Sequence, residues 1–170
     1  LLEKALQIRE NILGPEHKDT AVNLNFLASL YWNQGKYQEA EPLYKRALAI
    51  GEKQYGGDNL LVAESLDNLA NLSRDQGKFG EAEPLYVRAL SIREKTLDPD
   101  NPATNASLNN LAGFFMEQGK YAEAESLHKK ALALAEKISG PEHPNTAINL
   151  NNLAMLYQKQ GKFADAELLF

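Results

Sequence analysis

The chain has 170 residues, 44% hydrophobic and 24% charged, with a net charge of −5 and no cysteine, so it is too apolar for disorder and large enough to bury a core. Disulfides and thiolate metal sites are excluded, a reducing compartment such as the cytoplasm is expected, and the acidic balance argues against nucleic acid as a partner. No apolar run approaches the roughly 20 residues of a membrane span, so no membrane partner is expected either.

The first stretch, 1–13, is an amphipathic helix with Leu2, Ala5, Leu6 and Ile8 on one stripe and no capping residue ahead of it. Gly14-Pro15 stops it. Asp19-Thr20 is then the expected cap of a first helix over 20–33, with Leu24, Leu27, Ala28 and Tyr31 on one side. Gly35 ends that helix, and a second one over 37–55 runs through Ala40, Leu43, Tyr44, Ala47 and Ile50. Pro42 lies inside it, and a slight bend is expected there. The plan recurs, with first helices over 62–75, 104–117 and 146–159 and second helices over 79–97 and 121–139. The last one breaks off at Leu168-Leu169-Phe170.

Gln34-Gly35-Lys36-Tyr37 returns as Gln76-Gly77-Lys78-Phe79, Gln118-Gly119-Lys120-Tyr121 and Gln160-Gly161-Lys162-Phe163, always 42 residues on. A fixed period of this size marks a solenoid whose units bury their apolar faces only by stacking. The units are 20–61, 62–103 and 104–145, with partial ones at 1–19 and 146–170. Shifting by 42 places Leu1 on Leu43 and Gly14 on Gly56, so the chain reads as a piece of a longer array.

The unit Leu24, Leu27-Ala28, Tyr31, Gly35, Tyr37, Ala40, Tyr44, Ala47 resembles a tetratricopeptide repeat. The longer period, with Leu150-Asn151-Asn152-Leu153-Ala154, Glu83-Pro84-Leu85-Tyr86 and Gly140-Pro141-Glu142-His143-Pro144, is similar to the kinesin-light-chain type. Departures are Ser73 for Tyr31, His128 for Tyr44, and Ser126 and Leu168 for Pro42. The resemblance implies an all-α, right-handed αα superhelix of antiparallel helix pairs, whose first helices line a concave groove and bind other proteins.

Opposite the apolar side of each first helix lies a polar arc: Asn25, Phe26, Ser29, Trp32 and Asn33 in the first unit, then Glu64, Asp67, Asn68, Asn71, Arg74 and Asp75. The third contributes Asn109, Asn110, Gly113, Met116 and Glu117, and the fourth Asn151, Asn152, Met155, Gln158 and Lys159. Asparagines recur at 25, 109 and 151 and at 68, 110 and 152. An amide both donates and accepts, so such a row suits the backbone of an extended peptide. The same chemistry also ties a helix to its neighbour. The first row is the one expected to meet a ligand, and the second to tie helices.

Within this family, domains that clamp acidic carboxyl-terminal tails carry Lys and Arg on this arc. Here Asn25, Ser29, Asp67, Asn71, Asn109 and Gly113 stand there, so a neutral or mildly basic segment is expected instead. Trp32 is either an aromatic anchor for a ligand or a residue packed on the preceding unit. Met116 and Met155 are either adaptable floor or gap-fillers. His17 and His143, like Asn59 and Asn101 at the same loop position, are expected to bond backbone, and His128 to be a satisfied core histidine. No catalytic motif is present, and no enzyme activity, metal or cofactor is expected. The alternative to peptide binding is end-to-end stacking of Leu169-Phe170 on Leu1-Leu2 of another molecule.

Overall fold

The computed structural model describes residues 2–169, and every element among them is an α-helix. The chain divides into two compact units, Leu1–Thr96 and Leu97–Phe170. The first holds α1 (Leu2–Leu13), α2 (Lys18–Asn33), α3 (Tyr37–Tyr55), α4 (Leu60–Asp75) and α5 (Phe79–Thr96). The second holds α6 (Pro102–Glu117), α7 (Tyr121–Ser139), α8 (Pro144–Lys159) and α9 (Phe163–Glu167). Within each unit every helix packs on the next, and first helices also meet one another, α2 on α4 and α6 on α8.

The first helices begin about two residues earlier than the sequence suggests, because the cap is not Asp19-Thr20. His17 stands at the N-cap in extended conformation, and its Nδ1 accepts the Asp19 N–H at 3.2 Å. Asn59, Asn101 and His143 do the same for Leu61, Ala103 and Asn145. An imidazole nitrogen with a free lone pair replaces the amide oxygen, so His and Asn interchange at this register. Proline is then admissible at the first helical position, as in α6 and α8, where no N–H is needed.

Each Gln-Gly-Lys closes a first helix with a Schellman motif. Gly35 takes φ +72°, the Lys36 N–H donates to the Tyr31 carbonyl at 2.9 Å, and the Gly35 N–H to Trp32 at 2.8 Å. The lysine side chain then lies over the aromatic ring one turn back, 5.7 Å from the Tyr31 centroid, 5.1 Å for Lys120 and Phe115, and 5.3 Å for Lys162 and Tyr157. In the second copy Ser73 offers no ring, and Lys78 bonds Glu41 at 2.9 Å instead.

Second helices end where Gly56 and Gly140 adopt φ +79° and +90° with extended ψ, a region open in practice only to glycine. Asp98 occupies this register after α5. No residue other than glycine has a positive φ among the described residues, and α5 ends at Thr96, one residue short of the expected 97. The helices run on through Pro42 and Pro84, each sixth in its helix, so one carbonyl near the N-terminus loses its donor.

Alanines set the contacts between helices. Ala28, Ala40 and Ala47 are fully buried, and Tyr44, Leu69 and Leu72 fill the space around Ala28 and Ala40. In the second unit Ala124, Leu153 and Leu156 form the equivalent cluster, with Phe115, Met116 and Tyr157 against it. Each leucine buried this way contributes about 1.5–3 kcal/mol.

Candidate binding face on the first helices

The polar arc sits directly above a buried row of second-helix side chains, and what each repeat places in that row decides which polar atoms remain for a ligand. The Tyr44 hydroxyl meets Ser29 Oγ at 2.8 Å, and the Tyr86 hydroxyl donates to Asn71 Oδ1 at 2.6 Å. Ser29 and Asn71 therefore serve the core as well as the face. At the same register the second unit carries Gly113, which offers no partner, and His128 replaces the tyrosine. Its Nδ1 lies 3.0 Å from Asn109 Oδ1, one turn earlier on α6. His128 is only 3% exposed and its Nε2 has no partner among the described residues, so it is a half-satisfied core histidine. Burial lowers its pKa and keeps it neutral.

Position 109 is consequently closed. Asn109 Nδ2 donates to Asn149 Oδ1 at 2.7 Å and to Asn105 Oδ1 at 2.9 Å, while its Oδ1 also accepts from Asn152 Nδ2 at 3.2 Å. The role expected of the row at 68, 110 and 152 thus extends to Asn109, which ties α6 to α8 while also lining a cavity. Asn151 and Gln158 are exposed on α8, with Met155 beside them, whereas Met116 packs into the core.

Position 67 differs again. Asp67 Oδ2 accepts from Arg93 Nη1 at 2.5 Å, and both side chains are largely buried. Burial pushes this carboxyl above its usual pKa and Arg93 opposes the shift. Repeat by repeat the pair reads Asn25 with Gly51, Asp67 with Arg93, and Asn109 with Ala135. Where alanine replaces arginine, a cavity of about 300 Å³ opens beside Ala135, Ile138 and Ile148. Both coupled series, at 29/44 and at 25/51, are visible once the repeats are aligned, yet single-repeat reading passes over them.

Trp32 packs against the cluster of Ala28, Ala40, Tyr44, Leu69 and Leu72, and its Nε1 donates to Asp75 Oδ2 of the following repeat at 2.8 Å. Arg74 is held by Asp75 at 3.0 Å, and Asn33 is exposed. On the second helices, hydrogen bonds from Lys45 and Lys78 hold the Glu41 carboxyl down at a pKa of about 2. Lys129, Gln160 and Lys162 do likewise for Glu125. Among the described residues no group of His, Asp and Glu side chains is arranged to hold a metal, and no helix is long and apolar enough to cross a membrane.

Short antiparallel helix pairs in a strict 42-residue period, closed by Schellman glycines, define an αα solenoid. The tetratricopeptide repeat pattern matches residues 1–50, 19–95 and 103–170, and the chain belongs to this family. Its repeats are of the kinesin-light-chain-like type. A putative kinesin light chain of Podosopora anserina with nearly identical TPR-like repeats, in a singly substituted form, is 30% identical with a TM-score of 0.86 over 99% of this chain and 79% of that one. Without that substitution the values are 29% and 0.85, over 99% and 80%. BtubC (BKLC) from P. vanneervenii is 26% identical, with a TM-score of 0.86 over 99% of this chain and 67% of its own. No curated protein matches the chain.

Proposed function

We propose that the chain is a non-catalytic scaffold that holds an extended segment of a partner protein along its first helices, in a reducing compartment such as the cytoplasm. The family supports protein interaction in general. The observation that carries the finer reading is the face itself: Phe26 and Glu64 in the first unit and Asn151, Met155 and Gln158 in the second are exposed on the first helices. Their chemistry favours a neutral to mildly basic segment, because Asp67 is paired with Arg93 and Asp75 with Arg74, while exposed Glu64 has no ion-pair partner among the described residues. Replacing Asn151 and Gln158 together by alanine should weaken a peptide selected from a library by about thirtyfold, each amide contact being worth about 1 kcal/mol. Helicity should stay unchanged, since neither side chain supports the core. Undiminished binding in calorimetry would remove the second-unit face from the site.

A second reading is end-to-end self-association. Ile12 of α1 is 73% exposed and Leu168 85%, with Ile8, Leu13 and Phe163 also largely uncovered. Of the contact expected from the sequence, Leu1 and Phe170 lie outside the described residues. Light scattering over a concentration series should show growth that Ile12→Lys abolishes; a monomer at every concentration would reject this reading.

A further inference from the structure

The direction of one hydrogen-bond chain fixes what the first-unit face lacks. Ser65 Oγ donates its single proton to the Leu61 carbonyl at 3.0 Å, so it can only accept from Asn25 Nδ2, at 3.1 Å. The Asn25 amide is therefore oriented, and the atom left over is its acceptor, Oδ1. The side chain is 7% exposed, and Oδ1 has no partner among the described residues. An unmatched buried acceptor calls for a donor. The second unit supplies the internal control: at the same register Asn109 Oδ1 accepts from both Asn152 and His128, whereas Asn68, the counterpart of Asn152, makes no such bond to Asn25.

Asn25 and Asn68 line a cavity of about 140 Å³ between α2 and α4, together with Val22, Phe26, Ser29 and Glu64. That is room for one side chain rather than a cofactor-sized ligand. Glu64 is exposed and has no ion-pair partner among the described residues, and Phe26 is 60% exposed. Acceptors and negative charge therefore stand beside an exposed phenyl ring, the combination that suits an ammonium group on an aliphatic stem.

We propose that this cavity takes the side chain of a lysine from the extended partner segment, with Asn25 Oδ1 and the Glu64 carboxylate receiving the ammonium and Phe26 covering the stem. This rests on the peptide-binding reading above. The test is titration of nitrogen-15-labelled protein with three blocked Ala-Ser peptides differing only in a central lysine, acetyl-lysine or norleucine. The lysine peptide should shift the side-chain amide signals of Asn25 and Asn68 and bind about tenfold more tightly than the other two, as a charge-assisted hydrogen bond implies. Glu64→Gln should erase that advantage. Equal affinity of all three peptides, with signals of the face still shifting, would overturn the lysine site and leave peptide binding standing. No shift with any peptide at millimolar concentration would overturn both.

Discussion

Replacing Arg93 by methionine is expected to lower the stability of the first unit by about 3–5 kcal/mol, because it strands the Asp67 carboxylate in a buried position without its counter-ion. Removing both charges, Asp67→Asn with Arg93→Met, should restore stability to within about 1 kcal/mol, since the desolvation cost of the pair disappears with its attraction. The third repeat already carries the neutral arrangement, Asn109 with Ala135. Trp32, on α2 and bonded to Asp75 of α4, reports the transition by fluorescence in urea. A pH series adds a second signature. Asp67 is already raised above 3.8 in the folded chain, and losing Arg93 removes the influence that opposes this rise. The deficit of Arg93→Met should therefore be full at neutral pH and shrink as acid protonates the carboxyl. Equal losses in the single and double variants would show that Arg93 acts through packing alone.

The second large effect concerns His128 and Gly113. His128→Tyr alone should cost about 1–3 kcal/mol, because the phenol reaches toward a residue with no side chain and leaves a buried hydroxyl unmatched. Adding Gly113→Asn rebuilds the pair seen at Asn71 and Tyr86; a Cβ at Gly113 meets nothing within 4 Å. The coupling should lie at about 1–3 kcal/mol, in the range found for residues in direct contact. The exchange should also change pH dependence. The unfolded imidazole takes up a proton near 6.5, whereas burial holds the folded ring below that value. The neutral ring's contribution is thus complete above pH 6.5 and is lost as pH falls below it, by up to about 1.4 kcal/mol per pH unit. The double variant should lack this slope. Parallel curves for the two proteins, from urea melts followed by circular dichroism, would refute the assignment.

The fold was legible in the sequence because its punctuation is covalent and local. A glycine that must take positive φ, 42 residues after the last, fixes a helix end whatever packs around it. Even the capping error was small, and arose from reading His17 as a loop residue when its ring nitrogen does the work of an amide. The face was less legible. Asn25 and Asn109 are the same residue at the same register, yet one keeps an acceptor unpaired and the other is fully bonded. The difference lies in what stands 19 and 43 residues further on: His128 and Asn152 close onto Asn109, while Tyr44 turns to Ser29 and Asn68 stays apart. Chemistry set by neighbours at that distance does not show in a motif.

Lysine-to-acid ties recur at a fixed offset: Lys53 with Glu16, Lys95 with Asp58 and Lys137 with Asp100 are each 37 residues apart, and the acid sits in or beside a loop. Loops ordinarily absorb insertions cheaply. Here one added residue between a second helix and the next first helix would move an acid away from its lysine and break the threonine-to-glycine closure, such as Thr20 to Gly14 or Thr146 to Gly140. A duplication or deletion of 42 residues leaves every such partner at its distance. The array can thus lengthen or shorten only in whole units, so its reach is a quantised property while its surface chemistry remains free to vary residue by residue.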